Sequence, residues 1–196
     1  MSRNIEVEFK NMVNKEDFDV LLQYFQVRKN DFITQKNYYF DTKNLSLGMQ
    51  QAALRIREKE GSCELTLKKA APVGNLEINQ SISPQEASSM LAGKGVPQGE
   101  VREELTLMQT SFTSIEYQGM LQTERSQARY KNGWLMFDHN TYLHKEDFEI
   151  EYEVDESNAF QGEKDFYELL YKLNIPRKES DNKIKRFFHA KREGSV

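Results

Sequence analysis

The chain has 196 residues, 38% of them hydrophobic and 30% charged, and its 27 Lys and Arg against 31 Asp and Glu leave a formal net charge of −4. This length suits one domain, which we predict over residues 1–196. No run approaches the ~18 apolar residues of a membrane span, and the first residues lack the apolar run of a signal peptide, so we expect a cytoplasmic protein with no membrane partner. The lone Cys63 excludes an internal disulfide and a cysteine-based metal cluster. The net acidic charge argues against nucleic acid as a partner.

Many short segments alternate apolar and polar residues with a period of two, which predicts β-strands. In chain order these segments cover residues 3–11, 32–41, 52–60, 63–69, 76–82, 112–121, 124–130, 134–139 and 147–155. Gly61-Ser62 and Lys131-Asn132-Gly133 favour tight turns between neighbouring segments. The pattern therefore predicts a sheet rich in hairpins.

A few helices are predicted between these strands. Asn14 is the expected N-cap of the first, because an apolar stripe with helical spacing follows it. Ser83-Pro-Gln-Glu86 has the pattern of a capping box and begins a helical region that reaches Leu107, interrupted over residues 93–99. Two more helices are expected, one over 160–173 and one from a cap at Ser180-Asp181 to residue 190.

Charges of opposite sign are sorted onto different strands. Three glutamates share one face of the strand at 147–155, whereas Arg55, Arg57 and Lys59 share one face of the strand at 52–60. Like charges side by side repel each other, so such faces need a counter-charge. If the strands close into a barrel whose apolar faces are covered by helices, the charged faces line its lumen. Basic side chains suit phosphate and clustered carboxylates suit Mg²⁺ or Mn²⁺, so the two groups predict a metal-assisted phosphate site.

A series of short motifs supports this interpretation. The first is Glu6-Val-Glu8-Phe-Lys10, which reads ExExK. In chain order it is followed by Tyr38-Tyr39-Phe40-Asp41-Thr42, Leu54-Arg55-Ile56-Arg57, Leu65-Thr66-Leu67-Lys68, Arg125, Asp138, Asp147-Phe-Glu-Ile-Glu-Tyr-Glu153 and Lys183. The series resembles that of the CYTH proteins, also called triphosphate tunnel metalloenzymes, over residues 3–190. The likeness is greatest to their small stand-alone bacterial members, which are related to thiamine triphosphatase and class IV adenylate cyclase.

The resemblance implies an α+β fold: a closed antiparallel eight-stranded β-barrel with a polar tunnel, helices packed outside it and a C-terminal helix. It implies a metal-dependent hydrolase of a triphosphorylated small molecule, with Mg²⁺ or Mn²⁺ as cofactor. The residues that it assigns to substrate binding are Lys10, Arg55, Arg57, Lys68, Arg125 and Lys183. Those that it assigns to metal are Glu6, Glu8, Asp138, Glu149, Glu151 and Glu153, with Glu77 as a further acidic candidate. We expect Lys10, Arg57 and Glu151 to be catalytic, with a carboxylate orienting the attacking water and cations stabilising the charge that develops.

Several alternatives stay open. Lys183 follows Asn182 where the family usually has serine, so Lys185 and Arg186 compete with it for the role of the late lysine. The glutamate run at 147–155 has one member more than two metal ligands require. Adenylate cyclase is the alternative activity, although no segment predicts a purine pocket. A non-catalytic binder of triphosphate or polyphosphate is the alternative from another class, and the carboxylate set argues against it, because acidic residues weaken anion binding unless a metal joins them. The substrate and the oligomeric state, monomer or homodimer, are also open.

Overall fold

The computed structural model describes residues 2–194, which form eight strands and six helices. The strands are β1 (Ser2–Val13), β2 (Ile33–Thr42), β3 (Ala52–Lys59), β4 (Ser62–Ala70), β5 (Asn75–Ile82), β6 (Ile115–Tyr130), β7 (Gly133–Tyr142) and β8 (Lys145–Val154). The helices are α1 (Lys15–Tyr24), α2 (Ser46–Met49), α3 (Pro84–Leu91), α4 (Glu100–Leu107), α5 (Ala159–Lys172) and α6 (Lys183–Glu193).

The strands close into a barrel in the order β1-β5-β4-β3-β2-β6-β7-β8. Neighbouring strands run antiparallel in the pairs β1–β8, β2–β3, β3–β4, β4–β5 and β7–β8. The predicted α+β class, the closed eight-stranded antiparallel barrel and the C-terminal helix are therefore confirmed. None of the helices within residues 2–194 is both long enough and apolar enough to cross a membrane.

Contacts along the chain group into two compact units. The first unit contains Gln35–Leu121 and the start of β1 up to Ile5, and the second contains Glu6–Thr34 and the residues from Gln122 onward. Each unit has its own apolar cluster and its own set of charged side chains.

In the first unit, alternate residues of β3, β4 and β5 are buried against α3 and α4. This cluster includes Leu54, Ile56, Leu65, Leu67, Ile78, Ala87, Met90, Val101 and Leu105. The capping box predicted at Ser83 is present: its hydroxyl accepts a hydrogen bond from the backbone N–H of Glu86, and the Glu86 carboxylate accepts one from the backbone N–H of Ser83 at 2.8 Å. The helices therefore cover the apolar faces of these strands, as the period-two pattern predicts.

Glu104 is a buried charge at the edge of this cluster, since only 3% of it is exposed. Its carboxylate accepts a hydrogen bond from Arg3 at 2.7 Å and another from Lys69. Burial raises the pKa of Glu104, but the bonds and charges of Lys69 and Arg3 outweigh that effect and hold the pKa below its ordinary value. The ion pairs therefore fasten α4 to β1 and β4.

In the second unit, β1, β7 and β8 present their apolar faces to α1 and α5. The buried cluster includes Val7, Val13, Phe18, Leu21, Leu135, Phe137, Ile150, Tyr152, Val154, Phe166, Leu169 and Leu170. Asn14 caps α1 as predicted, with its side chain accepting from the backbone N–H of Asp17 at 2.7 Å. The charged residues that alternate with this cluster lie on the opposite faces of the same strands.

The structure differs from the sequence prediction in three elements. The short helix α2 was not predicted. The strands predicted at 112–121 and 124–130 are one strand of 16 residues, β6, in which buried Thr123 donates a hydrogen bond to Asn140 of β7 at 2.8 Å. The cap predicted at Ser180-Asp181 is wrong, because α6 is capped by Asn182, whose side chain accepts from the backbone N–H of Lys185 at 3.0 Å.

Candidate active site

Three parallel rows of side chains cross β1, β8 and β7 on the face opposite the apolar cluster. Strand register sets the rows, because residues directly opposite each other in antiparallel strands point to the same face. From the buried end outward the rows are Met12, Glu149 and Asp138; Lys10, Glu151 and Met136; and Glu8, Glu153 and Trp134. Residues far apart in sequence thus form one charged surface on the second unit.

The most buried acidic group is the inner triad, which consists of Asp138, Glu149 and Glu151. These residues are 0%, 0% and 3% exposed, and their carboxylate oxygens lie within 4.8 Å of one another. Lys183, the first residue of α6, places its Nζ 2.8 Å from Asp138 and 2.7 Å from both glutamates. One ammonium group therefore bridges all three carboxylates.

Two further cations complete the charge balance of the inner triad. Lys10 Nζ donates to Glu151 Oε1 at 2.9 Å. Arg125 makes a two-pronged contact with Asp138, from Nε and from a terminal nitrogen at 2.6 Å each, and it also bonds Glu151 at 2.5 Å. Lys10, Arg125 and Lys183 thus reach the three buried carboxylates from β1, β6 and α6.

Arg186 also contacts the inner triad, through Glu149. Its guanidinium bonds Glu149 Oε2 and Asp147 Oδ2 at 2.9 Å each, and it also donates to Ser180 Oγ at 2.9 Å. Ser180 in turn donates to Glu149 at 2.5 Å. Lys185, by contrast, pairs with exposed Asp181 at 2.6 Å. Of the three candidates for the late lysine, Lys183 and Arg186 reach the carboxylates and Lys185 does not.

The charges of this cluster perturb its ionisation strongly. Burial raises the pKa of Glu149, but the nearby positive charges, Lys183 first among them, outweigh burial and lower the pKa to about 2. The pKa of Glu151 is well below its ordinary value, because Lys10, Lys183 and Arg125 overcome its burial. Burial lowers the pKa of Lys183, and the three carboxylates reverse that effect and raise it. Glu149, Glu151 and Lys183 are therefore ionised at neutral pH.

Glu6, Glu8 and Glu153 form a second acidic group, the outer triad. Its carboxylate oxygens also lie within 4.8 Å of one another. Lys10 Nζ is 3.0 Å from Glu8, whereas Arg125 is 3.9 Å from Glu153. Burial, opposed in part by Arg125 and reinforced by the neighbouring glutamates, raises the pKa of Glu153 to about 7. A group of carboxylates in which one is driven toward protonation is suited to a divalent cation.

The first unit holds a separate basic group on β3, β4 and β5. Lys68 and Glu77 are opposite each other in the β4–β5 register, and Glu77 Oε1 lies 3.7 Å from Lys68 Nζ and 3.8 Å from Arg55. Arg57 Nε donates to Asn37 Oδ1 at 3.2 Å across β2 and β3. Glu77, an acidic candidate in the sequence, thus lies among basic residues in this unit.

The structure groups the predicted site residues by unit. It brings together those of the second unit, which are Glu6, Glu8, Lys10, Arg125, Asp138, Glu149, Glu151, Glu153 and Lys183. It groups Arg55, Lys68 and Glu77 in the first unit, with Arg57 on the same face of β3. Ser180 and Trp134 were missed, since neither belongs to a charged period-two pattern.

Comparisons with known proteins find relatives over nearly the whole chain. The family model described as "CYTH domain" matches residues 4–188. A Bacillus subtilis protein named "Putative triphosphatase YjbK" is 44% identical over 193 residues, which cover 98% of this chain and 99% of that one. The crystal structure of a Bacillus halodurans protein described as a "putative adenylate cyclase" is 39% identical, covers 96% of this chain and 100% of its own, and superposes with a TM-score of 0.91.

A plant protein, HpAC1 from Hippeastrum, has the same fold. Its structure superposes with a TM-score of 0.78 at 21% identity and covers 95% of this chain and 96% of its own. The match of the family model over nearly the whole chain, together with the 44% identical relative, shows that this protein belongs to the CYTH domain family.

Proposed function

We propose that the protein is a metal-dependent hydrolase that cleaves the terminal phosphoanhydride of a triphosphate. The outer triad carries this proposal: its three carboxylates offer oxygens within 4.8 Å of one another, and Lys10 and Arg125 lie 3.0 Å from Glu8 and 3.9 Å from Glu153. A metal–triphosphate complex would offer a divalent cation to these carboxylates and phosphate oxygens to the neighbouring cations. The relative named as a triphosphatase supports the same reaction.

The outer triad suits a hard divalent cation. Its oxygens are the ligand type that Mg²⁺ and Mn²⁺ prefer, and burial together with the charges of the neighbouring glutamates raises the pKa of Glu153. When bound, such an ion neutralises phosphate charge and polarises the phosphoryl group. The inner triad stays a second predicted group of metal ligands, although its three carboxylates already contact four cations.

The chain's own residues position the phosphates and stabilise the charge that develops on them. Lys10, Arg125 and Lys183 stay charged at neutral pH, so each can bind a phosphate oxygen. We propose that Arg55, Arg57 and Lys68 of the first unit also bind phosphate oxygens, because Arg and Lys side chains suit phosphate. Glu151 stays ionised, which suits a carboxylate that orients the attacking water by accepting its hydrogen bond.

The test is a panel of inorganic triphosphate, ATP and other triphosphates, incubated with purified protein with and without Mg²⁺ or Mn²⁺. Phosphate, pyrophosphate and cyclic nucleotide are measured together. We expect phosphate release that requires the metal. Cyclic AMP formed from ATP faster than phosphate is released would replace hydrolysis by the cyclase reaction, and no turnover of any triphosphate would leave only a binding protein.

Matched variants separate the site from general charge effects. Glu8→Gln should lose metal-dependent turnover, whereas Glu16→Gln on the exposed side of α1 should not. Arg57→Ala should raise KM for triphosphate, and Lys43→Ala, which removes an exposed cation, should leave it unchanged. Equal effects within either pair would refute the assigned role, and circular dichroism checks that each variant is folded.

A further inference from the structure

Trp134 lies beside the proposed site but has no role in the phosphate chemistry proposed above. It is the single tryptophan of the sequence, and 39% of its surface is exposed. An indole that is exposed to solvent loses the stabilisation that burial of its apolar surface would provide. The residues around an exposed indole therefore indicate which kind of ligand it could contact. The following inference deepens the proposed function and rests on it.

Strand register puts the Trp134 side chain beside the outer triad. Trp134 is directly opposite Glu153 in the β7–β8 pair, and Glu153 is directly opposite Glu8 in the β8–β1 pair. Side chains of directly opposed residues point to the same face with Cβ atoms ~5 Å apart. The indole therefore continues the row of carboxylates that we assign to the metal.

Gly133 fixes the distance between the two strands at this point. A Cβ atom at residue 133 would lie 2.3 Å from the backbone carbonyl oxygen of Glu153, so only glycine permits this approach. β7 is thus pressed against β8 at the residue preceding Trp134. This close approach places the indole on a rigid element, which a selective binding site requires.

The guanidinium of Arg129 lies over the indole of Trp134, with its central carbon 4.8 Å from the ring centroid. Such a cation–π contact orients the ring, of which a substantial part stays exposed to solvent. Exposure also rises along β8 toward this position, from 0% at Glu149 to 28% for the side chain of Glu153. The aromatic surface is therefore at the solvent end of the rows, beyond the charged groups.

We propose that Trp134, supported by Arg129, stacks against the base of a nucleoside triphosphate whose phosphates are bound by the charged rows. The phosphates need the buried cations and the metal ligands, so the organic group of the substrate extends toward the exposed end of the rows. A planar base gains from the indole a contact that inorganic triphosphate cannot make. Trp134 is thus a specificity-determining residue that favours nucleoside triphosphates.

The kinetic test compares ATP with inorganic triphosphate in Trp134→Leu and Trp134→Phe. In the leucine variant the ratio of kcat/KM for ATP to kcat/KM for inorganic triphosphate should fall about tenfold, through the KM for ATP. The phenylalanine variant should retain most of the ratio, because it keeps an aromatic face. Tyr171→Leu, which removes a tyrosine that is 86% exposed on α5, should leave the ratio unchanged. A ratio that changes less than about twofold in Trp134→Leu would overturn the proposal.

A binding test does not depend on turnover. Because the sequence has one tryptophan, its intrinsic tryptophan fluorescence, excited where tyrosine does not absorb, comes from Trp134 alone. In Mg²⁺ buffer, the non-hydrolysable β,γ-methylene analogue of ATP should quench this emission, and inorganic triphosphate should quench it much less. Equal quenching by both, or none by the analogue at saturation, refutes stacking. If the protein hydrolyses no triphosphate, the proposed function fails, and this emission measurement still decides whether Trp134 contacts a base.

Discussion

Replacement of Lys183 by methionine tests how the inner triad is held. Methionine keeps most of the side-chain volume but removes the charge that lies within 2.8 Å of three buried carboxylates. The difference between the ordinary pKa of 4.5 for Glu149 and its value of about 2 corresponds to about 3 kcal/mol of stability at neutral pH. Lys183 is the largest of the charges that lower this pKa, so we expect Lys183→Met to lose roughly 3 kcal/mol.

The pH dependence of this loss has a definite sign. A carboxyl group whose pKa is lower in the folded state than in the unfolded state stabilises the protein above pH 4.5. This contribution is lost as the pH falls toward about 2. Without Lys183, burial meets less opposition and the pKa of Glu149 rises. The stability deficit of the variant should therefore be larger at pH 7 than at pH 4.

The assay is urea denaturation in EDTA at both pH values, followed by circular dichroism. Lys185→Met is the matched control, since Lys185 is two residues later in the same helix and pairs with exposed Asp181. Its loss should be below about 1 kcal/mol. A Lys183→Met protein as stable as the Lys185→Met protein, or a deficit that does not shrink at pH 4, would refute the assigned role of Lys183.

Three further predictions concern the framework around the site. Gly133→Ala should lower the free energy of unfolding by about 1–3 kcal/mol, because its methyl group collides with a backbone carbonyl. Gly48→Ala should be tolerated, because its methyl group would lie 3.5 Å from the nearest atom, and thermal unfolding compares the two variants. Glu104→Gln should destabilise the protein at pH 7 but less at pH 3, because the lowered pKa of this carboxyl makes its contribution disappear as pH falls below 4.5; a pH-independent deficit contradicts this. Asn11→Ala should cost about 1–3 kcal/mol and speed hydrogen exchange at Lys178, whose backbone N–H donates to the Asn11 side chain at 2.7 Å; unchanged exchange there contradicts this contact.

Local patterns predicted most of the elements. The alternation in β1 and β8 and the capping box at Ser83 depend on neighbouring residues, so a sequence displays them directly. The boundary errors have the same origin. β6 is one strand because its pairing with β7 continues through Thr123, and the α6 cap is Asn182 because Ser180 binds a carboxylate of β8 instead.

The sequence by itself determined the chemistry of the site. Its sorted charges and the ExExK pattern predicted both a basic and an acidic group, and the family followed from their order along the chain. Only the tertiary structure divided six of the predicted carboxylates into a buried inner triad and a less buried outer triad. It also selected Lys183 over Lys185 and put Trp134 next to Glu153. Charge balance and burial depend on strand register and on contacts between residues more than 100 positions apart, and no local pattern contains that information.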